Sequence, residues 1–328
     1  MIGCYVTGIL PRPDELIEKT RAYDRGRITE KELEENFSKY TDIVIEAQAS
    51  LNLSFVTDGM LRWQDLLRPF VENLVGASVG SLARWFNNNT FYRKPVITEP
   101  LERSGEIVKK VTYVEKLPKN RQWKIILPAP YTFATLSENR YYKDENELMF
   151  SYAKILNEEI KSLAESGFSY IQLSDPALTY DPFKSGIDKD TLSFIEDSLK
   201  LAVRGLKVKT CLQTFFGDFS KILPEALDFP VTHLGIDIYE TNIEEVKTYD
   251  FGKGVCLGLV DARSSLLEKV EELVGVAEKI IDSIYPSKIN DVFIAPNCDL
   301  EFLPWKRAFE KMKLTREITG KLEEKFLE

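Results

Sequence analysis

The sequence predicts an α/β fold, a single closed (β/α)8 (TIM) barrel, and three observations carry that prediction. Short apolar runs alternate with longer amphipathic helical patterns along the whole chain. Eight such runs are present, at 4–7, 55–57, 124–127, 170–173, 208–213, 234–237, 255–260 and 292–295, and eight strands separated by helices close on themselves more readily than they form an open sheet. No Gly/Ser/Pro-rich linker, internal repeat or low-complexity tract divides the 328 residues, so 1–328 is read as one barrel.

The helical patterns between the strands fall at 30–51, 145–166, 189–206, 264–284 and 305–327. The interval between the second and third strands, 58–123, is too long for one βα connection. Within it, 90–96 and 109–115 read as alternating strands joined by Arg103-Ser104-Gly105-Glu106. We expect an inserted antiparallel hairpin there, in the region of about 78–118.

Composition narrows the function. With 43 Lys+Arg against 52 Asp+Glu the formal charge is −9, which argues against general binding to nucleic acid or to an anionic membrane surface. No run approaches a membrane span, and the N-terminal residues Met1-Ile2-Gly3-Cys4 lack a signal-peptide pattern. The four cysteines, Cys4, Cys211, Cys256 and Cys298, are far apart, so a disulfide framework is not expected and a cytoplasmic location is. The one histidine, His233, excludes any two-histidine metal site. It opens a strand, on the face of a barrel that serves stability, so its expected role is structural.

Active sites of such barrels lie at the C-terminal strand ends, and the candidates are taken there. Asp58 follows the second strand in Thr57-Asp58-Gly59-Met60, where a turn cap competes with a functional role. Gln172 and Asp175 end the fourth strand, with Pro176 fixing the aim of the carboxylate. Gln213 ends the fifth, followed by Phe215-Phe216, a pair suited either to stacking on a planar ring or to core packing. Asp237 ends the sixth, and Cys298 follows the eighth as a thiolate ligand, a nucleophile or a small buried hydrophobe.

The segments GILPRPDEL (8–16), FVTDGMLRWQDL (55–66), LPAPYTF (127–133), IQLSDPAL (171–178), QTFFGDF (213–219), GLVDARSS (258–265) and APNCDLEFLP (295–304) jointly resemble the cobalamin-independent methionine synthase family. The resemblance implies methyl transfer from 5-methyltetrahydrofolate to homocysteine, on an enzyme of two related barrels. In the C-terminal one, zinc held by a His, two Cys and a Glu activates the thiol. Here Gln213-Thr214-Phe215 stands where the family has His-x-Cys, Asp237 where it has the zinc-binding Glu, and Met60 where it has a substrate-binding Glu; only Cys298 is kept. QTFFGDF and LPAPYTF look more like the N-terminal barrel, the one without zinc, and Arg12 remains in the loop that helps hold the folate tail there, whereas its basic neighbours are replaced in DELIE (14–18).

The expectation is therefore a counterpart of the N-terminal barrel that binds a small-molecule C1 donor of the methyl-folate type and acts with a separate zinc-bearing barrel. Its cleft is expected to be lined by Arg12, Asp58, Gln172, Asp175, Gln213 and Asp237, with no metal of its own. The alternative is a self-sufficient zinc- or thiolate-dependent methyltransferase using Cys298 and Asp237. A third reading, from another class, is a hydrolase working with two of Asp58, Asp175 and Asp237.

Overall fold

In the computed structural model, which describes residues 1–183 and 185–327, seven parallel strands form one curled sheet. They are β1 (Ile2–Cys4), β4 (Trp123–Pro128), β6 (Phe168–Ser174), β7 (Lys209–Gln213), β8 (His233–Asp237), β9 (Gly254–Val260) and β10 (Val292–Pro296), in the order β1-β10-β9-β8-β7-β6-β4. The gap between β1 and β4 is closed by the predicted second strand, shortened to a bridge. Ser54 donates its N–H to the Cys4 carbonyl at 2.8 Å, Val56 to Gln122 at 2.9 Å, and Lys124 to Val56 at 3.0 Å. The barrel is thus closed with eight strand positions, as expected. The second one stops early because the chain turns at Asp58-Gly59, where Gly59 and Met60 both take positive φ.

The longer outer helices follow their apolar spacing. In α2 (Glu30–Ser50) the buried positions Phe37, Tyr40, Thr41, Val44, Ile45 and Gln48 recur every three to four residues, and a Thr29–Glu32 capping box starts the helix. The others that enclose the barrel include α5 (Glu145–Glu165), α6 (Lys189–Ala202), α8 (Val270–Ile284) and α9 (Trp305–Leu327). α8 starts later than its sequence pattern suggests. Before it, Glu268 folds back to accept the Asp261 N–H and the ammonium of the fully buried Lys311, each at 2.7 Å, which holds 264–269 as a loop.

The inserted hairpin exists and the strand expected at 90–96 is present, but its partner precedes it in the chain instead of following it at 109–115. β2 (Leu74–Arg84) pairs antiparallel with β3 (Phe91–Arg103), and β5 (Glu138–Asn139) adds to the far side of β3. The turn is at 85–90, and 109–115, expected as a strand, instead falls within 3₁₀ turns at Val108–Lys110 and Val114–Lys116. The reason is tertiary: the buried Glu159 of α5 accepts the N–H groups of Ile107 and Val108 at 2.9 and 2.7 Å and also pairs with Arg103. Those bonds pin the chain in a turn, whatever its β-propensity. No helix among the described residues is long and apolar enough to cross a membrane.

Candidate functional site at the barrel mouth

Strand alternation sends one residue set inward. At the lower end these are Tyr5, Phe55, Tyr170, Cys211, Cys256 and Phe293, packed together, with Lys124 among them. Its ammonium sits 3.6 Å from the Tyr5 ring centre and donates to the Val6 carbonyl at 2.6 Å. Burial in this apolar layer lowers its pKa to about 7. His233 is buried at the barrel's N-terminal end, its Nδ1 2.7 Å from Thr232 Oγ1, and burial lowers its pKa to about 4. That position fits the structural role expected of it.

One level up, the same alternation collects polar groups at the C-terminal strand ends. Gln172 spans the interior to donate to the Thr7 carbonyl at 2.6 Å and to Ser174 Oγ at 2.9 Å, and its own amide oxygen is buried with no protein partner. Gln213 donates to Thr214 O at 3.2 Å, and its unpartnered oxygen lies where a Cβ at Gly235 would fall, 2.2 Å away. Only glycine at 235 leaves room for it. Asp237 accepts from the Phe216 N–H at 3.2 Å, the Tyr239 N–H at 3.1 Å and Asn297 Nδ2 at 3.1 Å; burial still raises its pKa to about 6.

Asp175 accepts at one oxygen from the backbone N–H and the hydroxyl of Thr132, at 3.0 and 2.6 Å, and its other oxygen is buried without a partner. Desolvation raises its pKa to about 7. Asp58 is also buried, but its oxygens take the N–H groups of Met60 and Tyr113 at 2.9 and 3.1 Å, tying the second strand end to the insert; burial raises its pKa to about 6. Arg12 stands apart from the mouth floor. It donates to the Leu61 and Trp63 carbonyls at 2.8 and 2.5 Å and borders a groove between α1 (Asp14–Asp24) and α2. Cys298 is fully buried, its thiol pKa pushed well up by burial and by Asp299 and Asp237.

The structure therefore brings Gln172, Gln213 and Asp237 together on the floor, with Thr7 and Asn297 as partners that sequence reasoning passed over. Asn297 lay in the motif read for Cys298, so its spacing was visible. Lys124 had a weaker signal, a charge inside an apolar strand. The roof was not anticipated. Phe86, from the hairpin tip, lies 5.0 Å from Tyr180 and 5.8 Å from Phe216 between ring centres, and Phe216 packs 6.0 Å from Phe302. The insert thus places its tip over the mouth. Phe215 and Phe216, read as either a stacking pair or core, divide: Phe215 is buried at 1% exposure while Phe216 borders a cleft.

A zinc centre does not fit this donor set. Among the described residues no three His, Cys, Asp or Glu side chains are grouped so as to hold a metal ion. Asp237 is engaged by three donors, Gln213 offers a neutral amide, and Phe215 beside them cannot ligate at all.

Fold and mouth together define a closed (β/α)8 barrel protein whose strand-end site is polar below and roofed by an inserted hairpin. More particularly, the chain belongs to the cobalamin-independent methionine synthase family: the family model described as "Cobalamin-independent synthase, Catalytic domain" matches residues 4–321. The methionine synthase of Saccharolobus solfataricus is 30% identical over 312 residues, 94% of this chain and 90% of that protein. The methionine synthase of Sulfolobus acidocaldarius is 26% identical over 309 residues, 94% and 88% of the two chains. A B12-independent methionine synthase from Shewanella sp. W3-18-1, solved in complex with selenomethionine, shares the fold with a TM-score of 0.82 at 18% identity, over 100% of this chain and 99% of that one. The family places the protein among methyltransferases of methionine biosynthesis.

Proposed function

We propose that this chain serves methyl transfer from a methyl-folate-type C1 carrier to homocysteine, in the cytoplasm, as a barrel without its own zinc that works with a separate zinc-bearing barrel. The observation that supports this reading is the donor set at the mouth: where the family resemblance implies zinc ligands stand Gln213, a neutral amide, Phe215, which cannot ligate, and an Asp237 already engaged by three donors. What the floor does offer is hydrogen bonding: two unpartnered amide oxygens, from Gln172 and Gln213, and the free oxygen of Asp175. In this role Gln172, Gln213 and Asp175 accept hydrogen bonds from the carrier and the hairpin tip excludes water, while the thiolate is generated on the partner. Arg12, Asp58 and Asp237 hold the loops that shape the cleft.

A second reading is favoured by the match to the catalytic-domain model and by relatives of nearly the same length that carry the name methionine synthase. In that reading the chain transfers the methyl group alone, with Cys298 and Asp237 binding zinc or the acceptor. One experiment decides: zinc content after re-equilibration under reducing conditions, and methyl transfer from 5-methyltetrahydrofolate to homocysteine, with the chain alone and with an added zinc-bearing barrel of the family. The proposal expects no stoichiometric zinc and activity that depends on the added barrel. About one zinc per chain, lost in Cys298→Ser, with activity unaided, would overturn it.

A further inference from the structure

We infer that the groove at the N-terminal end of the barrel, the end remote from the mouth, is a binding site for an oligophosphate chain, free or carried by a nucleotide. Parallel strands all begin at this end. β7 opens with Lys209 and β8 with His233, and the loops before β9 and β10 bring Lys253 and the segment 288–291 beside them. The groove holds about 600 Å3, within the size range of small-molecule sites. Gln213 and Asp237 end the same two strands, so at about 3.3 Å per residue the mouth lies roughly 13 Å away.

In a chain of net charge −9 this groove has the opposite sign. Lys209, Lys253, Lys288 and the α-ammonium of Met1 line it, against one carboxylate, Asp291. That carboxylate is already engaged: Oδ1 accepts from the Met1 ammonium at 2.9 Å and Oδ2 from Lys209. Lys253 donates to the Phe229 carbonyl, which uses one N–H and leaves the charge uncancelled. Asp228 and Glu196 act on Lys253 only through space, from outside the groove lining. Lys288 is exposed and has no ion pair or hydrogen bond among the described residues. Backbone donors add to the ammonium groups. The N–H groups of Gly252, Lys253 and residues 288–290 make no backbone hydrogen bond among the described residues, and nothing lies within 4 Å of where a Cβ on Gly252 would stand. Spread over two loops, these donors suit a chain of phosphates, with lysines as point charges and N–H groups between them.

The one histidine closes the groove from below. Thr232 Oγ1 gives its proton to the Thr210 carbonyl at 2.7 Å, so its 2.7 Å contact with His233 Nδ1 needs a proton on that nitrogen. Nε2 is then an acceptor, buried without a hydrogen bond and 3.5 Å from Asp291 Oδ2. Glycine at 254 makes room for the ring, since a Cβ there would lie 2.3 Å from Cδ2. Two acceptors facing each other inside a cationic groove have a use when an anion arrives. Phosphate oxygens that take over Lys209 leave Asp291 to His233, and a proton from solvent on Nε2 joins the two. Lys209, Asp291, Tyr170 and Cys211 are the titratable groups beside the ring.

The test titrates tripolyphosphate and ATP, each without magnesium, into the full chain by calorimetry at low salt. In parallel, 15N-histidine labelling reads the groove directly, because His233 is the only histidine. Both ligands are expected to saturate one site per chain and to move the Nε2 signal toward its protonated position. Lys288→Gln is expected to weaken both about tenfold, the loss of one charge-assisted hydrogen bond. Lys269→Gln, exposed at the mouth end, is expected to change nothing. Circular dichroism checks that each variant folds. Equal affinity for the two ligands assigns the site to the phosphate chain itself and tighter ATP assigns it to nucleotides; both uphold it. No saturable binding, wild-type affinity in Lys288→Gln, or an unmoved His233 signal would overturn it. The groove contains no residue of the mouth, so these outcomes are independent of whether the chain transfers a methyl group.

Discussion

The ammonium of Lys124 lies over the face of Tyr5, 3.6 Å from the ring centre, inside a barrel layer otherwise made of aromatic and thiol side chains. A cation there is held by one carbonyl and one π face, against a desolvation cost that lowers its pKa to about 7.

Because the unfolded chain keeps this proton until near pH 10.4, it binds more protons than the folded one between about pH 7 and 10. Stability therefore rises with pH across that window, by up to about 1.4 kcal/mol per pH unit from this group. Lys124→Met keeps the volume and removes the titration. Urea melts of the two proteins at pH 7 and 9 should show the increase in wild type only.

Asp175 acts in the opposite sense. Its folded pKa of about 7 lies above the unfolded value, so the folded protein holds the extra proton between about pH 4 and 7 and stability falls as pH rises through that range. Asp175→Asn retains an acceptor for the two bonds from Thr132 and no longer ionises. The variant should match wild type below about pH 4 and exceed it at pH 8, by an amount on the order of a few kcal/mol. A variant less stable at pH 8 would show that the ionised carboxylate has a partner at its second oxygen.

Gly235 and Gln213 share one volume. Gly235→Ala places a methyl group 2.2 Å from the Gln213 amide oxygen, an overpacking that should cost about 1–3 kcal/mol. Gln213→Ala combined with Gly235→Ala should recover most of that loss. The coupling energy from a double-mutant cycle in urea is the readout, and additive effects would place the two side chains apart.

Glu159 is the anchor of the insert, completely buried and bonded to Arg103, Ile107 and Val108. Glu159→Ala leaves a buried guanidinium and two N–H groups unpaired, and about 3–5 kcal/mol should be lost. Amide exchange should rise first at 107–116 and in β3, while the strands on the far side of the barrel stay protected.

The number and order of the barrel strands were legible because each is a short apolar run set off by an amphipathic helix, and period alone distinguishes the two. The strand ends were legible for the same reason: once the barrel is assumed, Gln172, Asp175, Gln213 and Asp237 must fall at the mouth, and they do. The pattern showed the hairpin insert and its strand at 90–96 but was silent on the partner strand, since β2 reads Leu-Val-Gly-Ala-Ser-Val-Gly-Ser, small residues with one face in solvent, while 109–115 reads as a better strand and is not one. Glu159, a residue of α5, overrides that preference from about 50 positions further along the chain.

The sequence by itself determined the closed barrel and the polar character of its mouth, because these follow from residue type and strand periodicity. Only the tertiary structure decided what each polar group is free to do. Asp58 and Asp237 are engaged by backbone N–H groups, Arg12 by two carbonyls, and Gln172, Gln213 and Asp175 each keep one acceptor unpaired. It also decided that the hairpin tip roofs the mouth. Hydrogen-bond partners and the faces a cleft presents depend on segments distant in sequence, and no local pattern of residues encodes which of them will meet.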